Sequence, residues 1–176
     1  MTVQKGKWAW LIDLIELFAL GIWIGGLIMI MSAVIPAVFN SMGMEPAGHF
    51  LRRVFDGYNI IVGSIVVLLL LTSGFRLWFG AIESNDVFSI GRVEIGLLIG
   101  MILMTGLIVG LLGPKAIYLQ EQAFAAEQGP LRKAAYDAFF RLHMIVRALH
   151  MMNWVLAVVL FVVKIKRWIG KPFATC

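Results

Sequence analysis

The chain has 176 residues, 61% of them hydrophobic and 14% charged, with a mean hydropathy of +0.91. A soluble domain of this size is never so apolar, so the composition predicts a single-domain, multi-pass integral membrane protein in a lipid bilayer. The net charge of +5 does not signal nucleic acid, because the Lys and Arg residues flank apolar segments, where they set topology and meet anionic lipid. The lone Cys176 excludes a disulfide framework and a thiolate zinc site within the chain.

The basic start resembles a signal peptide, but the apolar run continues to Val34, carries Asp13 and Glu16, and lacks a small-residue cleavage site. It reads as a retained first membrane helix over 8–39, with a kink or the interface expected at Pro36. Gly21, Gly25 and Ser32 form a small-residue stripe that predicts close helix approach. Residues 40–56 read as a connection containing a short amphipathic piece around His49, Arg52 and Arg53.

A second membrane helix is expected over 58–79, a polar turn over 80–89, and a third membrane helix over 93–112. Gly96, Gly100, Gly106 and Gly110 suit that third helix to tight packing. Gly113-Pro114 predicts a break or kink before a polar helical extension over 115–127, and Gly129-Pro130 a hairpin tip. Residues 131–168 lack Pro and Gly. They predict one helix of about 57 Å against a hydrocarbon core of about 30 Å, so nearly half of it lies outside the lipid.

The fold expected is all-α, a membrane four-helix bundle with helices 3 and 4 extended beyond the bilayer. Both termini and the short turn share one end, while two longer connections occupy the other. The Lys and Arg count is nearly balanced between the ends, and favours cytoplasmic termini in a bacterial inner membrane.

His49, His143 and His150 all fall at the long-loop end, and His143, Arg147 and His150 share one helical face. Neutral imidazole is the usual protein ligand for haem iron, copper or zinc, and Met42 and Met44 add soft thioethers suited to Cu(I). Arg52, Arg53, Arg141 and Arg147 could balance haem propionates or phosphate, although interfacial Arg commonly snorkels to headgroups, and interfacial His commonly bonds water. Asp13 and Glu16, one turn apart, suggest a proton or cation path. The plainer expectation is that Asp13 lies at the interface and Glu16 pairs with Arg76, Arg92 or a C-terminal Lys. Most Trp residues, with Tyr58, read as interfacial anchors or packing.

LFALGIWIGGLIMIMSAVIPAVF, HFLRRVFDGYN, LLGPKAIYL and AFFRLHMIVRALHMMN, in that order, resemble the transmembrane-protein-205-like domain family. The matching positions are Gly25, Gly26, Pro36, Phe39, Arg53, Phe55, Tyr58, Pro114, Lys115, Leu142 and His143. That family comprises four-helix membrane proteins of largely undefined biochemistry, distantly similar to copper-resistance D-type proteins and to a small haem-binding protoporphyrinogen oxidase. In the latter the resemblance implies an iron-binding His shortly before a Trp-x-x-Gly; here the region before Trp23 and Gly26 offers Glu16. The same oxidase activity is therefore not expected. Three functions remain: a haem b or soft-metal protein, an accessory subunit or homo-oligomer working with other membrane chains, and a small transporter or channel using Asp13 and Glu16.

Overall fold

The computed structural model describes residues 2–83, 90–125 and 129–170, so most of the expected turn at 80–89, the end of the extension at 126–127, Lys171 and Cys176 lie outside the described residues. Every element among them is helical. Without water in the hydrocarbon, backbone N–H and C=O groups must be paired within the segment, and a helix achieves this for an apolar run. The order is α1 (Thr2–Met29), a π-helical stretch (Ile30–Val34), α2 (Ile35–Ser41), α3 (Met44–Glu83), α4 (Arg92–Gly106), a second π-helical stretch (Leu107–Leu112), α5 (Gly113–Ala125) and α6 (Pro130–Ile169). These make four rods long and apolar enough to cross a bilayer, Trp8–Ser41, Met44–Gly80, Arg92–Ala125 and Pro130–Ile169.

At both prolines where a kink is expected, helix continues through a π-helical stretch. Pro36 and Gly113-Pro114 do not end their rods, because a π-helical stretch precedes each proline and the backbone there shifts to longer hydrogen bonds, Ile35 N–H to Ile30 O and Gly113 N–H to Ile108 O. A wider turn is a known way for a helix to absorb a ring that would otherwise crowd the preceding turn. A Cβ at 113 would stand 3.0 Å from Ile108 O, a close approach that glycine accommodates.

The second rod also differs from expectation. Residues 44–56 are not a connection but the first turns of α3, a 40-residue helix. Pro46 sits in its first turn, where the missing N–H has no intrahelical partner to lose, and no proline follows in α3 to stop propagation. The amphipathic piece is thus continuous with the membrane span.

α6 packs on α1, α4 and α5, and α3 packs on α1, α2 and α4. The core is an apolar layer of Leu20, Trp23, Leu27, Val62, Leu69, Leu98, Met101, Ala157 and Leu160. Beyond it, at the long-loop end, α5 and the starts of α3 and α6 form a smaller layer. Ala47 and Ala123 are buried there, and Gly48 lets Gln120 and Phe124 approach to 3.0 Å from where a Cβ would stand.

The small-residue stripes do not pack as expected. Gly21 and Gly25 have open space where a side chain would be, and Ser32 turns back to donate to Ile28 O at 2.7 Å. Gly26 makes the close approach instead: a Cβ there would meet the Tyr58 ring at 3.1 Å. On the third rod Gly100 faces Leu156, while Gly96, Gly106 and Gly110 are open. Gly26→Leu therefore loses about 1–3 kcal/mol by overpacking, whereas Gly25→Leu changes stability little. Thermal loss of helicity in detergent, compared for the two variants, measures the difference.

Candidate functional site

All four rods bring charge to one place. α1 supplies Asp13 and Glu16, three residues apart and hence on one face; α3 supplies Arg76, α4 Glu94, and α6 Lys164 and Arg167. The place lies at the end that holds the start of α1 and the end of α6. Arg76 Nη2 donates to Asp13 Oδ1 at 2.6 Å and to Glu16 Oε2 at 3.2 Å. Lys164 Nζ donates to Glu16 Oε2 at 2.8 Å and also to Glu94 Oε1. Arg167 closes the circuit, with Nη1 on Glu94 Oε2 at 2.6 Å and Nη2 on Asp13 Oδ1 at 2.7 Å.

The result is a closed ring of alternating sign: Asp13, Arg76, Glu16, Lys164, Glu94, Arg167, and back to Asp13. Each acid touches at least two bases and each base at least two acids, with Arg167 Nη2 also 3.7 Å from Glu16 Oε2, and the six formal charges sum to zero. Glu16, Arg76 and Lys164 are fully buried, Asp13 and Glu94 nearly so, and only Arg167 reaches the surface. Burying one such ion alone costs several kcal/mol even after relaxation, so the ring exists only because its charges are buried together.

Asp13 is enclosed in the bundle, where Arg76 and Arg167 reach it from two other rods. Glu16 does pair with Arg76 and a C-terminal Lys, namely Lys164. Glu94 was not singled out from sequence. The available signal is its position in the first turn of an apolar segment, where a buried carboxylate needs a partner. Around the ring, Glu16 Oε1, Arg76 Nε and Nη1, Ser73 Oγ and Arg167 Nε are buried without a hydrogen-bond partner.

The histidines lie at the opposite end. His49 packs on the Phe124 ring at 5.2 Å between centroids, His143 on Phe139 at 5.5 Å, and His150 on Phe55 at 5.9 Å. Among the described residues no group of three or more His, Cys, Asp and Glu side chains is placed to hold a metal ion. Met42, Met44, Arg53 and Arg147 are exposed on the isolated chain. Arg52 donates to Glu121 Oε1 at 2.8 Å and joins α3 to α5, and Arg141 Nε donates to its own helix at Asp137 O.

A second polar feature lies between the apolar layer and that end. Trp23, Tyr58, Asn59, Thr105, His150 and Asn153 line a small cleft that the second π-helical stretch also borders, through Ile108 and Val109. Tyr58 donates its hydroxyl to Trp23 O at 3.0 Å, Trp154 Nε1 donates to Ile24 O at 3.3 Å, and Asn153 Nδ2 donates to Thr105 Oγ1 at 3.0 Å. Tyr58 and Trp154 are therefore cross-links to the α1 backbone rather than interfacial anchors. Trp8, Trp10 and Trp78, by contrast, face outward near the ring end.

A family model for a domain of unknown function, DUF4149, matches residues 18–125, more than half of the chain. The chain belongs to the DUF4149 family. The part of this DUF4149 protein that matches includes Arg76 and Glu94 of the ring and Tyr58, Asn59 and Thr105 of the cleft; Asp13, Glu16, His150, Asn153, Lys164 and Arg167 lie outside it. No curated protein and no solved structure matches the chain.

Loss of Lys164 leaves two carboxylates, Glu16 and Glu94, each short of a partner. Lys164→Met costs about 3–5 kcal/mol, because breaking a buried pair strands its charge. Adding Glu16→Gln to Lys164→Met recovers part of that cost. A double-mutant cycle on unfolding in mixed micelles measures both values.

Proposed function

We propose that this DUF4149 protein is a small proton-coupled transporter or conduit in which the ring is the proton-responsive gate. The observation that supports it is the state of Glu16. Oε2 is held by Arg76 and Lys164, while Oε1 is buried and unpartnered, an open position for a proton. Protonation there removes one negative charge and leaves the ring with an excess positive charge in a medium of low dielectric constant. Lys164 then loses its ionic partner on α1, Arg76 keeps only Asp13 there, and the hold of α3 and α6 on α1 is weakened. Deprotonation restores the ring. Because every rod contributes a charge, opening requires helix movement, which is how a gate differs from a surface salt bridge. With cytoplasmic termini, the gate faces the cytoplasm.

In proteoliposomes with an imposed potential and a pH-sensitive dye inside, the wild type changes lumenal pH faster than empty vesicles. Glu16→Gln slows this at least tenfold, and the exposed Glu45→Gln does not. Equal rates for wild type and empty vesicles, or for Glu16→Gln and wild type, would refute the reading.

A second reading, association with other membrane chains or with a further copy, is favoured by the outward GxxxG pairs Gly21/Gly25 and Gly106/Gly110, which are open to another helix. Isolation of the native protein alone as a monodisperse monomer would remove it. Haem b or copper at His49, His143 and His150, with Met42 and Met44, has less support because each imidazole is packed on a different aromatic ring.

A further inference from the structure

The ring has more hydrogen-bond donors than its carboxylates use. Arg76 is fully buried and reaches Asp13 and Glu16 with Nη2 alone, so its Nε and Nη1 are buried N–H groups with no acceptor. Arg167 Nε and Trp168 Nε1, at the ring end of α6, are in the same condition. All four are nitrogens that can only donate. Ser73 Oγ, buried and unpartnered one turn before Arg76 on α3, can donate as well. The carboxylate acceptor left over is Glu16 Oε1. Glu94 accepts from Lys164 and Arg167 with its two oxygens, and Asp13 accepts from Arg76 and Arg167 with Oδ1.

A proton on Glu16 Oε1 turns that acceptor into a donor. The charged groups around Glu16 are then Asp13 on α1, Arg76 on α3, Glu94 on α4, and Lys164 and Arg167 on α6, so the bases outnumber the ionised acids by one. An unbalanced charge enclosed among helices is costly unless something neutralises it. The neutralising partner must accept hydrogen bonds, must carry a single negative charge, and must be small, because the spare donors are enclosed by the bundle. A divalent anion would overshoot to a net negative ring. We propose that the protonated ring binds one small monovalent inorganic anion of the chloride class, held by the Arg76 N–H groups that the carboxylates leave unused, with Ser73 beside them. The inference rests on the reading of Glu16 as the proton-accepting member, not on flux through the bundle. In the deprotonated ring Asp13 and Glu16 both repel an anion at Arg76, so anion and proton each favour the other's binding by the same factor. Arg167, whose side chain is 20% exposed, marks the side from which the ion enters.

The test is equilibrium binding of radiolabelled chloride to the full chain in mild detergent, at acid and at neutral pH, with sodium gluconate holding the ionic strength. The wild type binds saturably in acid and about tenfold more weakly at neutral pH. Glu16→Gln, uncharged at every pH, binds at neutral pH as tightly as the wild type does in acid. Arg76→Lys keeps a cation beside Asp13 but lacks Nε and Nη1, and weakens binding about tenfold, the worth of one charge-assisted hydrogen bond. Chloride added to lightly buffered wild type raises the pH through proton uptake, whereas Glu16→Gln gives no such rise. Absence of saturable binding from both the wild type in acid and Glu16→Gln means that the spare donors hold water only, which overturns the proposal and leaves the proton-flux result standing. Equal affinity at both pH values overturns it too, as does an Arg76→Lys protein of native helicity that binds like the wild type. Should Arg76→Lys not fold, the comparisons between the wild type and Glu16→Gln decide. Loss of proton flux with pH-dependent chloride binding intact removes the gate and upholds the anion site.

Discussion

The closed ring of Asp13, Arg76, Glu16, Lys164, Glu94 and Arg167 is the constraint on which the arrangement of the rods depends. In a bilayer, lipid tails are as apolar as Leu and Val, so hydrophobicity does not tell one helix face from another. Charges do. Turning α6 by one residue swings Lys164 through about 100° and removes the base that stands between Glu16 and Glu94. Each rod is thereby locked in rotation and height by at least one charge that has no acceptable alternative position. Replacing such a network with apolar residues commonly leaves stability unchanged or raises it, so its value lies in choosing one packing among many.

The far end is held by different means. Tyr58 and Trp154 reach from α3 and α6 to adjacent carbonyls of α1, and Asn153 reaches Thr105 on the third rod. These are neutral hydrogen bonds, individually modest, that leave the cleft beside them polar and small. Between ring and cleft lies the apolar layer centred on Leu20, Leu69, Met101 and Leu160. The bundle is therefore graded along its axis: a strong electrostatic closure at one end, a dry middle, and a looser polar compartment at the other. Movement at the ring has somewhere to be transmitted, because α1 and α6 contribute to all three levels.

Both π-helical stretches stand two residues before a proline, one in each of the first and third rods. A sequence-based reading expects a kink or the interface at Pro36 and a break or kink at Gly113-Pro114, since proline lacks a donor and its ring crowds the previous turn. The bundle keeps these rods continuous by lengthening the local hydrogen bonds, and so extends helix into the layer where Gly48 meets Phe124 and Arg52 meets Glu121. That layer is also what the early start of α3 creates.

Composition and apolar run length alone determined that the chain is all-α, that four helices cross a membrane, and that the last is too long for the lipid, because backbone pairing in hydrocarbon admits few other solutions. Spacing also determined that Asp13 and Glu16 share a face, and the cost of burying a carboxylate pointed to Arg76 and a C-terminal Lys as partners for Glu16. Only tertiary structure decided that Glu94 and Arg167 complete a ring, that Gly26 rather than Gly21 or Gly25 takes the close approach, and that Asn153 meets Thr105. Helical periodicity says which residues share a face. It does not say which way that face turns, or at what height it meets its neighbour, because lipid and protein interiors are equally apolar and only contacts between rods distinguish them.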